Sequence, residues 1–354
     1  MDIRALVESL MTQGQFTNAA RLPGLTLGLP ARRYVGATVL PVRNVEENIF
    51  RESGVTYRTV MANTGTRYSP VVIEEGAAVG SMLVELGELD IGSEFKASDY
   101  DALVKLLGRA GEMGATAELL NWTARTLALP IQERLEKQRW EAIDDAQVTR
   151  LGANGYEEVV PYSNPAGHRI AGTSLADQAA DPIEPIIAQQ QLLASKGQTV
   201  GRIITSTRVA GMIARHAKVR AAIGGEGATV PVRVTRELVN GYLQDNGLPA
   251  LEVYDLTARN RDGSTVRFKR ENALTLIADT GRTAQVDLPD EQRILANTLG
   301  YTAVGRAAGQ QDSGVIVRVK YQDEKPVGLR GEAYATAAPV ILDPEAVAVV
   351  NFQL

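Results

Sequence analysis

The longest helical signal in the chain is also its most restrictive feature. Leu120, Ala124, Leu127, Ile131 and Leu135 recur at spacings of 4, 3, 4 and 4 residues, the period of one helix face. The stripe is narrow, and Arg134, Lys137, Arg139 and Glu141 occupy the opposite face. Such a helix is expected to lie across a surface, packed on one side only. Glu133 precedes Lys137 by four residues, the favourable order for a helix ion pair. Pro130 lacks an N–H and crowds the preceding turn, so it is expected to kink the helix or divide it in two, with the element ending before Gly152. Both tryptophans, Trp122 and Trp140, fall here. With Leu127, Ile131 and Leu135 they are expected to pack the helix against a sheet, anchoring of a neighbouring subunit being the alternative.

On the N-terminal side the chain reads as an extension. Ile3, Leu6 and Leu10 suggest a short helix, followed by Gly- and Pro-punctuated sequence with Leu22, Leu25, Leu27 and Leu29 but no room for a thick local core. Apolar residues so placed are expected to lie along another surface, in their own subunit or a neighbour. From Gly54 to Leu89 the β-branched and tyrosine residues, broken by Asn63, Gly65 and Pro70, predict a two-stranded excursion. A lone ribbon is marginal in water and should rest on another surface.

The remainder alternates. Ser98 with Asp101 predicts a helix start, ended by Gly111 and Gly114. Asn164-Pro165-Ala166-Gly167 predicts a turn between short strands. Asp181 is expected to cap a helix with Pro182 at its first position. A strand over 200–206 and a helix over 207–217 indicate an α/β layer. Residues 229–290 read as β-rich, with a hairpin turn at Asn260 to Gly263. Three further runs suggest strands of one sheet persisting to Leu354.

Composition excludes more than it asserts. Of 354 residues, 37 are Lys or Arg and 42 are Asp or Glu, a formal charge of −5. That is a poor balance for a dedicated nucleic-acid binder, although it suits a surface that only encloses nucleic acid. Without cysteine there is no disulfide, thiolate catalysis or cysteine zinc site. The first residues lack the apolar core of a secretory signal. No apolar run reaches the roughly 20 residues that span a bilayer. There is no GxSxG, HExxH, phosphate-binding loop or GxGxxG, and His168 and His216 lack ligand spacing. Asp181 and Glu184 read as helix-start residues, and Asp255, Asp262, Asp279 and Asp287 as ordinary strand-end acids. The expectation is no catalytic residue, no metal and no cofactor.

The order of elements carries a resemblance. IQERLEKQRWEAI followed by GYEEVVPY, the strand-to-basic-helix stretch GRIITSTRVAGMIARHAKVRAAI, and the ending GEAYATAAPVILDPEAVAVVNFQL are similar to the lambda-type major capsid protein family of tailed bacteriophages. The resemblance is best from Ile131 to Leu354. It implies an α+β, Hong Kong 97-like capsid fold with an N-terminal arm (1–51), an extended β-hairpin loop (52–90), a peripheral domain with a long spine helix (91–180) and an axial α/β domain (181–305). Terminal strands (306–354) would be shared between peripheral and axial domains. It further implies hexamers and pentamers that form an icosahedral shell around double-stranded DNA, without sequence-specific binding, in a virion assembled in the host cytoplasm. A portal protein and a possible decoration protein would be partners. With no long charged coiled N-terminal segment, a separate scaffolding protein is implied.

For a shell subunit, large contact area matters more than a pocket. Leu22, Leu25, Tyr57 and Val71 are candidate intersubunit contacts, contact within one subunit being the alternative. Arg51 and Arg58, with acids including Glu74 and Glu75, are candidates for charge pairs across subunits that set register more than stability. The basic stretch Arg202, Arg208, Arg215, His216, Lys218 and Arg220 reads first as a solvated helix face. The alternatives to a phage shell are an encapsulin-like nanocompartment and a non-shell phage structural protein.

Overall fold

The computed structural model describes residues 3–21, 34–57, 77–95, 97–152, 157–224, 234–260, 262–287, 292–296, 298–307, 310, 312–322 and 328–354. Two five-stranded sheets organise them, and one long helical element connects the layers between and around them.

The chain starts with helices α1 (Ile3–Thr12) and α2 (Gln15–Arg21). Ile3, Leu6, Val7 and Leu10 are buried at the i, i+3, i+4, i+7 spacing of one face, and Gly14, at φ 67°, makes the turn between the helices. A five-residue α3 (Val35–Val39) leads into β1 (Val42–Asn44). Next come β2 (Ile49–Tyr57), β3 (Ala77–Glu85) and β4 (Gly87–Phe95). Among the described residues β2 and β3 pair only with each other, from Ile49 opposite Glu85 to Tyr57 opposite Ala77.

Helix α4 (Ala97–Thr123) begins at Ala97, one residue before the expected cap at Ser98, whose hydroxyl instead faces Asp99. Gly111, at φ 69°, breaks the helical path where a glycine stop was expected, but the helix resumes. A π turn (Ala124–Ala128) then joins α4 to α5 (Leu129–Trp140). Pro130 is the second residue of α5, where its missing N–H interrupts the continuous backbone ladder, and the wider π turn before it takes up the ring's bulk. A second π turn (Glu141–Asp145) ends the element at Ala146, which adopts the left-handed conformation at φ 51°.

β5 (Gln147–Leu151) and β6 (Glu157–Pro161) form a separate hairpin, followed by β7 (Arg169–Ser174). α6 (Glu184–Ser195) starts two residues later than expected; Asp181 accepts from the Ile183 N–H in a local turn rather than capping the helix. β8 (Val200–Thr205) leads to α7 (Thr207–Arg215), capped by Ser206, whose hydroxyl accepts from Val209 N–H at 3.1 Å. The helix expected over 207–217 ends at Arg215, because His216 is extended, and a further helix α8 (Ala217–Gly224) follows. Within the expected β-rich stretch lies α9 (Arg236–Asp245), whose buried Val239 and Leu243 are spaced four apart. Its apolar content is too sparse to outweigh the surrounding β-branched residues in a pattern reading.

The rest is β9 (Leu251–Val253), β10 (Thr257–Arg259), β11 (Thr265–Arg267), β12 (Ala273–Ala278), β13 (Thr283–Asp287), β14 (Gln292–Ala296), β15 (Gly300–Gly305), β16 (Ile316–Gln322), β17 (Gly328–Ile341) and β18 (Val347–Gln353). β10 and β11 close a hairpin through Gly263 at φ 84°, where the turn was expected.

The first sheet has the order β1-β15-β17-β16, with β4 on the other side of β17. Helices α1, α2, α4 and α5 cover one face, burying Phe16, Leu103, Leu119 and Leu127 against Val317, Val319 and Leu329. The N-terminal helices also finish the β16 edge: the Thr17 hydroxyl donates to the Val317 carbonyl and accepts from its N–H, each at 3.3 Å. Residues 3–21 therefore lie along their own subunit.

The second sheet has the order β7-β18-β12-β8-β9. Its central strands are buried on both faces, so they read as continuous apolar runs. Ile203, Leu274, Leu276 and Val350 face α6, α7 and α9; Ile204, Ala273, Ile277 and Val349 face the opposite way, toward Trp140, Leu40 and Leu299. The expected terminal sheet is therefore split. β16 and β17 belong to the first sheet, and β18 enters the second after Asp343 caps the short 3-10 turn Pro344–Ala346.

Candidate assembly surface

Two of the four two-stranded ribbons among the described residues, β2–β3 and β5–β6, carry large exposed apolar side chains. The inner face of the β2–β3 ribbon is anchored: Phe50, Met82 and Val84 pack with Tyr301, Ala303 and Val340, and the Tyr301 hydroxyl donates to Glu52 Oε2 at 2.6 Å. Burial, reinforced by that carboxylate, holds Tyr301 well above the ordinary tyrosine range. The Arg43 guanidinium lies over its ring at 4.9 Å. Alternation along the strands then leaves Ile49, Arg51, Leu83 and Glu85 on the outer face. Ile49 is 57% and Leu83 65% exposed.

The β5–β6 hairpin repeats the arrangement. Val148 turns inward while Leu151 and Val159 are turned out, 63% and 49% exposed. Arg150 connects the two ribbons, donating to the Glu85 carbonyl at 2.6 Å and to Glu158 Oε2 at 3.1 Å. Four large apolar side chains are thus displayed on two adjoining thin ribbons. Single exposed apolar residues are common, but a set held on ribbons with little core of their own marks a contact surface.

Behind the ribbons, the end of the long helix forms a buried polar joint between the sheets. Glu136 is fully buried, and its Oε1 accepts from Gly36 N–H at 2.7 Å, the Tyr254 hydroxyl at 2.7 Å and Trp140 Nε1 at 3.0 Å. Its Oε2 accepts from Arg139 at 3.1 Å, and Arg139 Nε donates to Thr302 Oγ1 on β15 at 2.8 Å. Gly36 is required here, since a Cβ would stand 2.8 Å from Glu136 Oε1. One turn on, Lys269 Nζ donates to both Asp144 oxygens at 2.9 and 3.0 Å, and the Thr275 hydroxyl on β12 donates to Asp144 at 2.6 Å. Burial pulls Lys269 below the ordinary lysine range, an effect opposed by the Asp144 charge. Arg169 on β7 donates to the carbonyls of Ile143 and Asp144. The second π turn is what directs Ile143 and Asp144 into this layer.

This joint corrects the expectation of a helix packed on one side only. Arg139, expected on the solvent face, is 4% exposed, and Glu136 and Gln138 are buried with it. The second sheet covers the face opposite the first. Of the expected packing residues, Leu127, Ile131 and Leu135 lie in the core of the first sheet. Trp122 is half-buried, edge-on to Phe95 with ring centroids 5.3 Å apart. Trp140 lies in the other core, between the sheets and 5.4 Å from the Tyr254 ring.

Among the intersubunit candidates, Arg51 lies on the exposed outer face opposite Leu83. Tyr57 pairs with Ala77 at the end of the described ribbon. Leu22, Leu25, Arg58, Val71, Glu74 and Glu75 lie outside the described residues. The basic stretch is largely partnered within the chain: Arg202 pairs with Glu252 at 2.7 Å, Arg208 with Glu271 at 3.0 Å, and His216 is buried against the Asp177 carbonyl. Asp255, read as an ordinary strand-end acid, accepts from the Thr207 N–H at the start of α7 and from Arg267.

Sequence reasoning missed Glu136, Asp144, Lys269 and Tyr254. The available signal was Glu136, Arg139 and Trp140 at i, i+3 and i+4, which places an ion pair beside a large aromatic on one helix face. Among the described residues no group of three acidic or histidine side chains could hold a metal ion, and no helix is long and apolar enough to cross a membrane.

Comparison with known proteins agrees with this architecture. A crystal structure from a prophage of Escherichia coli CFT073, assigned as its capsid protein, superposes with a TM-score of 0.58 at 14% identity, covering 96% of this chain and 98% of that one. A phage-related protein from Bordetella bronchiseptica RB50 gives 0.52 at 13% identity, covering 95% of each chain. The satellite phage P4 procapsid, which includes the size determination protein, gives 0.50 at 9% identity, covering 97% and 100%. These likenesses establish the phage-capsid fold. No curated protein matches at the level of sequence. The family profile of phage major capsid protein E, however, matches residues 56–351, and the chain accordingly belongs to the phage major capsid protein E family, whose members are shell-forming subunits.

Proposed function

We propose that copies of this chain assemble, as hexameric and pentameric rings, into an icosahedral shell that encloses double-stranded DNA in a tailed-phage virion. The observation that carries the reading is the pair of thin ribbons whose exposed Ile49, Leu83, Leu151 and Val159 have no core of their own. A heterologous contact, one patch meeting a different patch on the next copy, covers such residues and closes a ring when the angle between neighbours is right. Burial of that apolar area contributes about 25 cal/mol per Å², reduced by the cost of ordering the ribbons. The formal charge of −5 suits a wall that holds DNA without gripping it.

In this reading residues 1–51 form the arm, 52–90 the extended loop, 91–180 the peripheral domain, 181–305 the axial domain and 306–354 the strands they share. Leu22, Leu25, Arg51, Tyr57, Arg58, Val71, Glu74 and Glu75 belong to the intersubunit contacts. The role is structural and needs no catalysis or cofactor. Assembly takes place in the host cytoplasm with a separate scaffolding protein, a portal and, on some shells, a decoration protein. The satellite phage procapsid that includes a size determination protein is a precedent for an accessory factor in assembly. The test is the content of native particles. Nuclease-protected double-stranded DNA inside shells of this chain is expected, whereas a protein cargo without DNA would replace the reading with a nanocompartment.

A further inference from the structure

Rings close only if every subunit presents its contact surfaces at one fixed angle, and in this chain the contact-bearing parts belong to different layers. The β2–β3 ribbon is rooted on Tyr301 and Ala303 of the first sheet, whereas Val148 of the β5–β6 ribbon shares a core with Ile204, Ile277 and Val349 of the second. An apolar interface alone would resist separation of the layers but not small rotations, since hydrophobic attraction has no direction. Hydrogen bonds do have direction.

We infer that Glu136, Arg139, Tyr254 and Thr302 are positioning residues for shell assembly, a buried joint that fixes the angle between the two sheets and so sets shell curvature. The inference rests on the shell reading above. Four observations carry it. Glu136 and Arg139 are 0% and 4% exposed, and taking two charges out of water offsets so much of their attraction that such a pair is weak evidence of added stability, which leaves orientation as its role. Their bonds run outward to separate bodies: Tyr254, which follows β9 of the second sheet, Thr302 in β15 of the first, and Gly36 in α3. Thr302 Oγ1 in turn donates to the Leu40 carbonyl at 2.8 Å, so α3 is held from both ends. Lys269, Thr275 and Arg169 fasten the following π turn to the second sheet. One helix end is thereby clamped to both sheets by bonds that tolerate little rotation.

The experiment uses the full chain assembled with its scaffold, comparing wild type with two variants. Tyr254→Phe/Thr302→Val cuts the two side-chain links from the pair to the sheets while leaving the Glu136–Arg139 pair and its Gly36 bond in place. Leu127→Ala lies in the core of the first sheet, away from the joint, and serves as the destabilised control. Circular dichroism and Tm of the subunits report folding, and electron microscopy reports particle diameter. The expected result is loss of the single wild-type diameter in the double variant, giving shells of several sizes and open sheets, while Leu127→Ala keeps that diameter despite a lower Tm. A double variant that folds and forms shells of wild-type diameter overturns the inference, as does a Leu127→Ala control with the same loss of uniformity. Should the double variant fail to fold, Tyr254→Phe alone is judged by the same two outcomes. Failure of the wild-type chain to form any closed particle would count against the shell reading itself.

Discussion

Replacing Glu136 by leucine removes one acceptor from four donors at once. Its Oε1 receives Gly36 N–H and the Tyr254 hydroxyl at 2.7 Å and Trp140 Nε1 at 3.0 Å, and its Oε2 receives Arg139 at 3.1 Å. In Glu136→Leu the Arg139 guanidinium stays buried with its charge uncompensated, a loss of about 3–5 kcal/mol. The three neutral donors, each about 1–3 kcal/mol if left unpaired, add less than their sum because they relax together. The expected destabilisation is about 4–6 kcal/mol, a fall in Tm of roughly 5–8 °C for a chain of this length. Adding Arg139→Met removes the stranded charge, so Glu136→Leu/Arg139→Met should regain about 2 kcal/mol over the single variant while staying below wild type. Urea unfolding of unassembled subunits, followed by tryptophan fluorescence, measures both steps, with Trp140 reporting from the joint. A single-variant loss under about 1 kcal/mol, or a double variant less stable than Glu136→Leu, would refute the reasoning.

Four further outcomes are expected. Leu127 is fully buried, so Leu127→Ala should cost about 2–5 kcal/mol in the same urea assay; Gly331→Ala, whose Cβ would stand 2.5 Å from the Trp122 ring and 2.7 Å from Leu127, should cost about 1–3 kcal/mol. Ile49→Asp/Leu83→Asp alters only exposed side chains, so the unfolding free energy of the subunit should stay within about 1 kcal/mol of wild type while particle yield in sucrose gradients collapses; normal yield would detach the ribbon's outer face from assembly. Burial pushes the Asp255 carboxyl up, but donation by Thr207 and Arg267 outweighs it and holds the group below its usual 3.8. Its contribution is therefore present above pH 3.8 and lost as pH falls through the lowered folded value. Asp255→Asn should lower Tm near neutrality and flatten its decline on acidification, measured by thermal melts across that range.

The two-stranded excursion, the narrow apolar stripe and the Asn260–Gly263 turn were legible because each depends on local periodicity or turn chemistry. The C-terminal strands were legible as strands but not as members of two sheets, since nothing local to Ile341 or Val347 states which layer receives them. α9 escaped notice because two buried residues, Val239 and Leu243, leave little periodic signal beside β-branched neighbours. The solvent face assigned to Arg139 failed for a different reason. Charge implies exposure only when no partner is supplied, and its partners, Glu136 and Thr302, lie 3 and 163 residues away. The buried joint is built mainly from such distant pairs, so it emerges only when the fold brings them together. His216 and Arg202 were likewise read by type, while their acceptors came from Asp177 and Glu252.

The most direct measurement is electron microscopy of the purified chain, with its scaffold, across a concentration series. Rings and closed shells that appear as concentration rises are predicted, with the outer faces of both ribbons covered by neighbouring copies. A well-folded monomer at every concentration, with Ile49, Leu83, Leu151 and Val159 still in contact with water, would contradict the account.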